Sequence, residues 1–148
     1  MLESLLFNRE LDRNAVPSRD PIAGSYITSG FGGRADPFGG GSQFHKGIDF
    51  EADVGDPVLA VADGVVSYSG VRSGYGNVVE IDHGNGYVTR YAHNSRVERQ
   101  VGDLVRAGQE IAKAGSTGRS TGAHVHFEVW QDGVVVNPRK FLGHNDAL

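Results

Sequence analysis

The sequence predicts a mainly all-β fold, a two-layer antiparallel β-sheet with a groove between long loops, on three observations. Glycine accounts for 22 of the 148 residues, twice the ordinary share of ~7%, and the glycines sit in turn dipeptides between short β-branched and aromatic runs. Those runs, GIDFEA, PVLAVADGVVSYSG, NVVEIDHGNGYVTRYAH, LVRAGQEIAKAG and AHVHFEVWQDGVVVNP, alternate or stay apolar over strand lengths and show little helical periodicity. Two of the connections are hairpin turns: Asn85-Gly86 within DHGNGY, and QDG at 131–133.

In chain order, Leu2, Leu5, Leu6 and Leu11 recur at helical spacing and predict a short N-terminal helical segment over 2–12. Asn14 to Pro21, with two prolines and little apolar content, reads as a linker, so residues 1–22 form a stub and linker, 23–142 the domain and 143–148 a tail. GFGGRADPFGGG, residues 30–41, is too rich in glycine for an interior element and predicts a long loop, the kind that usually carries function. VGDPVLAVADGVV (54–66) and VGDLVRAGQEIAKAG (101–115) share V-G-D-x-V before an apolar run, one hairpin device used twice. Lipoyl and biotinyl carrier domains show the same pattern, but neither Lys46 nor Lys113 stands at the hairpin tip a carrier needs.

Composition excludes several classes. A net charge of −4 with interspersed signs offers no basic stripe for nucleic acid or an anionic membrane. The absence of cysteine removes disulfides and thiolate ligands, leaving His, Asp and Glu to hold any metal. No stretch approaches the ~18 apolar residues of a membrane span, and MLESLLFNRE lacks the form of a secretory signal, so any targeting segment is expected outside this chain.

The candidate chemistry lies in histidines. In TGAHVHFEV (121–129) period-2 geometry puts Val125, Phe127 and Val129 on a core face and His124, His126 and Glu128 on the other. Alone, that HxH reads as a solvated polar face, the HxxxD of His45 and Asp49 is a weak metal signal, and His93 in RYAHNS reads as a hydrogen-bonded strand end. Together, three segments of a histidine-poor domain begin or end at a histidine near a carboxylate. A catalytic zinc site takes three protein ligands of N or O type and keeps a fourth position for water, and two His with one Asp supply such a set.

SGFGGRADPF, HKGIDF, YGNVVEIDHGNGYVTRYAH, GSTGRSTGAHVHFEV and NPRKFL, in this order from about Ile27 to Leu142, resemble the lysostaphin-type zinc endopeptidases of bacterial cell walls. Ala123 stands where many relatives have proline and Asn94 where many have leucine. The resemblance implies His45, Asp49 and His126 as ligands of one Zn2+ with a water in the fourth position, and His93 and His124 as metal-free catalytic histidines. It implies hydrolysis of peptidoglycan peptide stems, with zinc polarising the scissile carbonyl and acidifying its water. No HExxH glutamate is present, so one of His93 and His124 takes the water proton while the other stabilises the oxyanion or protonates the leaving amine, in either order. Glu128 either orients a ligand imidazole or faces solvent. Arg34 either lines a substrate groove or pairs with its neighbouring aspartate, and Tyr75 and Asn77 either meet substrate or serve a turn. His83 reads as a turn residue, and His144 suggests no function.

The ITSGFGxRxDPF form is closer to relatives that cut D-alanyl-diaminopimelate links than to those that cut glycine bridges. Such an enzyme is expected in the periplasm or outside the cell, and a membrane anchor or coiled coil upstream of this chain is compatible with that placement. The rival expectation is a non-catalytic activator of cell-wall amidases, since relatives that have lost ligands act so; this chain keeps all five positions. Asn8, Glu10 and Asp12 are the residues through which the N-terminal segment could cover the groove or add a fourth ligand, against the plainer reading of a helical remnant.

Overall fold

A computed structural model of the protein describes residues 19–35, 42–118 and 122–142. The expected helix over 2–12, with Asn8, Glu10 and Asp12, the loop residues 36–41 and 119–121, and the tail with His144 lie outside the described residues.

Among the described residues thirteen strands follow one another: β1 (Ile27–Ser29), β2 (Gly32–Ala35), β3 (Ser42–His45), β4 (Ile48–Glu51), β5 (Pro57–Leu59), β6 (Gly64–Arg72), β7 (Gly76–Gly84), β8 (Tyr87–Asn94), β9 (Arg96–Val97), β10 (Leu104–Val105), β11 (Glu110–Lys113), β12 (His124–Gln131) and β13 (Val134–Val136), before a 3-10 turn at Pro138–Phe141. The eight-stranded main sheet runs β1-β4-β12-β8-β7-β6-β10, with β13 beside β12; a second sheet runs β5-β11-β9, and β2 and β3 form a separate ribbon. All pairings in both sheets and the ribbon are antiparallel. Among the described residues no helix is long and apolar enough to cross a membrane.

The two expected layers are therefore a large and a small sheet around one core. Ile48, Phe50, Val66, Ile81, Tyr91, Val125, Phe127 and Val129 of the large sheet pack with Val58, Ile111 and Ala112 of the small one. Two expectations change at the N-terminal side. Ile22 joins the core and the Pro21 carbonyl accepts from the Leu59 N–H at 2.7 Å, so the end of the expected linker packs on the domain. Part of the glycine-rich stretch expected to be loop is strand: Gly32–Ala35 pairs with Ser42–His45 in a ribbon outside both sheets, where glycine costs no core packing.

Local turn chemistry explains much of this topology. Asn85 (φ 53) and Gly86 (φ 86), like Asp132 (φ 53) and Gly133 (φ 80), take the two positive φ values of a type I′ hairpin, as their sequences predict. The repeated V-G-D motif also has a single structural form. At 53–56 and 100–103 the fourth residue's N–H donates to the first residue's carbonyl at 3.0 Å. The Asp56 and Asp103 carboxylates accept from the N–H groups of Asp53 and Gln100 at 2.9 and 2.8 Å. A third copy at 106–109, with Gln109 in the aspartate's place, makes the same pair of bonds at 3.0 Å each. Its sequence, RAGQ, lacks the V-G-D signature.

β12 differs from a half-buried strand. Val125, Phe127 and Val129 are the core face, as expected, but on the opposite face His126 and Glu128 are buried as well. That second face is the candidate site.

Candidate metal centre

Strand order brings distant residues together. β12 lies between β4 and β8, and its register sets His126 directly opposite Asp49 on one side and Ala92 on the other. His45, closing β3, precedes Asp49 by four residues. Between them Gly47 turns the chain so tightly against β12 that an added Cβ would strike the Phe127 carbonyl oxygen.

Three side chains converge there. His45 Nδ1 donates to the Gly30 carbonyl at 2.7 Å, which leaves Nε2 facing Asp49 Oδ2 at 3.2 Å. His126 Nε2 donates to Glu128 Oε2 at 2.8 Å, and its Nδ1 lies 2.8 Å from Asp49 Oδ1. The ligand atoms of His45, Asp49 and His126 all lie within 4.8 Å of one another.

The electrostatics ask for a cation. Burial alone would push the His126 imidazole down, but Asp49 and Glu128 on its two nitrogens raise it to about 9. Asp49 is lowered below the usual carboxylate range; its burial works the other way and is outweighed by His126, then His45 and His124. Without a metal the centre satisfies its carboxylates by holding an extra proton on His126. A divalent ion between two imidazole nitrogens and a carboxylate does the same with N and O ligands that suit zinc. The residues present therefore fit a zinc ion.

Two further histidines stand beside this set. The His93 and His124 rings lie 4.8 Å apart between centroids, and His93 is 5.9 Å from His126. Each gives Nδ1 to the backbone: His93 to the Thr117 carbonyl at 2.6 Å, His124 to the Gly122 carbonyl at 2.8 Å. In each ring this keeps Nε2 for other work, and His124 Nε2 is 3.8 Å from Asp49 Oδ1. Burial, with the charges of His124 and His126, lowers His93, against the pull of its bond to Thr117.

His93 holds a left-handed backbone, φ 64, which costs a residue with a Cβ about 1–2 kcal/mol. Its surroundings over-determine it. The His93 N–H donates to the Tyr75 carbonyl at 2.8 Å. The next residue, Asn94, and Asn77 each donate a side-chain amide to the other's backbone carbonyl, and the Asn94 carbonyl also receives the Thr117 hydroxyl at 2.6 Å. Asn77 is thus part of the clamp that shapes the His93 turn. Strain held by such a clamp fixes the direction of the imidazole.

Glu128 has no exposed surface and four partners: His126 Nε2, the Tyr75 hydroxyl at 2.9 Å, Trp130 Nε1 at 2.9 Å and Arg90 Nη1 at 3.1 Å. It does not face solvent, and it is hydrogen-bonded to the His126 ring. Tyr75 gives its hydroxyl to this carboxylate, and burial with Glu128 raises it, so it stays a neutral donor. The side chain of Arg34 lies outside the described residues. Sequence reasoning missed Arg90, Trp130 and Thr117. A partial signal existed for Arg90, a charged residue between aromatic and apolar ones, but the register irregularity between Asp82 and Gly84 that sets it opposite Glu80 was not legible.

His83 is also reassigned. Expected in a turn, it is buried in β7, with Nδ1 donating to the Asp63 carbonyl at 2.7 Å and Nε2 2.7 Å from the Thr89 hydroxyl.

Residues 43–138 match Peptidase family M23. The chain belongs to this family. Its M23 domain is 46% identical over 119 residues to the DD-carboxypeptidase/endopeptidase Mpg of Neisseria meningitidis serogroup B, covering 80% of this chain and 27% of Mpg. This chain therefore spans about a quarter of that relative's length. It is similar to the crystal structure of a zinc containing peptidase from Vibrio cholerae with a TM-score of 0.77 and 38% identity, over 88% of this chain and 40% of that one. It is also 42% identical over 106 residues to the Murein hydrolase activator NlpD of Escherichia coli, covering 71% of this chain and 28% of NlpD. The lysostaphin-type resemblance read from the motifs is thus the family relationship, and M23 peptidases that carry zinc share its fold.

Proposed function

We propose that this chain carries the catalytic domain of a zinc-dependent endopeptidase that hydrolyses peptide cross-links of bacterial peptidoglycan. His45 Nε2, an Asp49 oxygen and His126 Nδ1 would hold the ion. When bound, zinc supplies Lewis acidity and a water acidified towards neutral pH. The observation that carries the reading is the His93–His124 pair, rings 4.8 Å apart, beside a complete three-donor set. An activator needs neither.

In this reading the pair does the proton work. The backbone bonds to Thr117 and Gly122 fix each tautomer with Nδ1 as the N–H, so both rings offer Nε2 to the reacting groups. Burial keeps His93 neutral at neutral pH, ready to accept a proton. The partner ring, close enough to share a reacting group, steadies developing charge or returns a proton to the leaving amine. Glu128 holds the His126 ring from behind and enters no proton step.

The cross-links are read as D-alanyl-diaminopimelate type, and the place of work as the periplasm or cell exterior, where peptidoglycan lies. The similarity to NlpD supports a second reading, activation of a cell-wall hydrolase without cleavage.

The test is digestion of cross-linked muropeptides, with zinc content measured in parallel. Cleavage by wild type, loss of both metal and activity in His126→Ala, and loss of activity alone in His93→Ala are expected. Zinc uptake without cleavage would overturn the enzyme reading, and stimulation of a purified amidase would then establish the activator. Glycine-bridge products with intact diaminopimelate links would refute the substrate.

A further inference from the structure

We infer that Arg90 is a positioning residue for the metal centre: by gripping the Glu128 carboxylate it fixes the orientation and tautomer of His126. This rests on the metal reading above.

Register alone lines up the charges. Glu80 of β7, Arg90 of β8 and Glu128 of β12 are direct cross-strand partners in one row. Arg90 Nε donates to Glu80 Oε2 at 2.8 Å and Nη1 to Glu128 Oε1 at 3.1 Å. Its guanidinium carbon lies 5.0 and 5.1 Å from the ring centroids of Tyr75 and Trp130, so two aromatic faces flank the fork. On the far side, Arg72 Nε meets Glu80 Oε2 at 3.0 Å. Signs alternate from Arg72, 40% exposed, through Glu80 and Arg90 to Glu128, 0% exposed.

An anion with no exposed surface must be paired. Tyr75 and Trp130 give Glu128 neutral donors. His126 gives it an N–H, but once Nδ1 is committed to a metal the ring brings no proton charge of its own. Among the described residues Arg90 is then the permanent cation in contact with Glu128. A carboxylate paired in this way only accepts, so the imidazole must donate to it from Nε2, and the lone pair is left on Nδ1, towards Asp49. With Oε1 held by Arg90 and Trp130, Oε2 is the oxygen turned to His126. The fork thus selects both the ligand nitrogen and the ring angle.

The test uses the full chain with Arg90→Met and Arg90→Lys, each alone and combined with Glu128→Gln. Zinc affinity is read by competition with a chromophoric chelator, and ligand geometry by the visible spectrum of the Co2+ form. Arg90→Met is expected to weaken zinc by roughly 10–100-fold and to alter the Co2+ bands, with Arg90→Lys, which keeps the charge but not the fork, recovering part of the loss. In the Glu128→Gln background Arg90→Met should change affinity by less than about 2-fold, because the group through which Arg90 acts is gone. An equal loss in both backgrounds, or none in the wild-type background, overturns the inference. Should Arg90→Met not fold, the Arg90→Lys pair is judged by the same comparison. If wild type takes up no zinc, the metal reading falls, and the His126 Nε2–H resonance of the metal-free protein decides Arg90's part: its loss in Arg90→Met and return in Arg90→Lys supports the inference, and its persistence in Arg90→Met refutes it.

Discussion

Gly47→Ala should damage the centre without touching a ligand. The added methyl would overlap the Phe127 carbonyl oxygen and stand 3.0 Å from Phe127 C and Glu128 Cγ. The first of these is backbone of a central strand and has no rotamer to change. Restoring ordinary separation, about 3.5 Å between heavy atoms, requires β4 and β12 to part by on the order of 1 Å. Such overpacking costs about 1–3 kcal/mol, or roughly 3–10 °C in Tm for a chain of this size. The same shift separates Asp49 from His126, its cross-strand partner, and a misplacement of that size costs about 100-fold in rate. Thermal unfolding, zinc competition and muropeptide cleavage would be measured together. If Gly47→Ala kept wild-type Tm and zinc affinity, the close strand contact would not be what spaces the ligands.

Thr117→Val removes a hydroxyl that donates to the Asn94 carbonyl and accepts from the Asn77 N–H; it should cost about 1–2 kcal/mol and lower kcat while zinc content stays at wild-type level. Removing zinc by chelation should destabilise the domain, and zinc returned at 100 times its Kd should restore about 2.7 kcal/mol, read as a rise in Tm. His83 gives a pH signature away from the site: burial lowers it below 6.5, against the pull of Asp63 and Asp82. The unfolded chain therefore binds that proton first, so stability is full above pH 6.5 and falls as pH drops through 6.5 towards the folded value. Denaturant melts between pH 5 and 7.5 should show that limb in wild type and a shallower one in His83→Gln.

Much of this was legible because it is local. Alternation marked the core face of β12, and Asp132-Gly133 marked its hairpin. The two V-G-D turns were visible through their aspartates, and the third was not, because Gln109 makes the same bond with a different side chain. The site histidines were visible as residue types, but what holds them was not. Thr117 acts on His93 through a backbone carbonyl 24 residues away, which side-chain identity cannot reveal. Arg90 and Trp130 meet Glu128 only because β12 slots beside β8, a pairing no short-range pattern encodes. His83 looked like a turn residue because it precedes a turn, and its burial depends on the Asp63 backbone, in the bend before β6, and on Thr89 of β8.

β12 comes next to last among the strands in the chain yet occupies the middle of the main sheet, flanked by β4 and β8. Without it the sheet falls into two pieces, one bearing Asp49 and the other His93, with His45 on the separate β2–β3 ribbon, while His124 and His126 are lost altogether. A growing chain, or one clipped before residue 124, thus holds only fragments of the centre, which is completed only as the keystone strand is set.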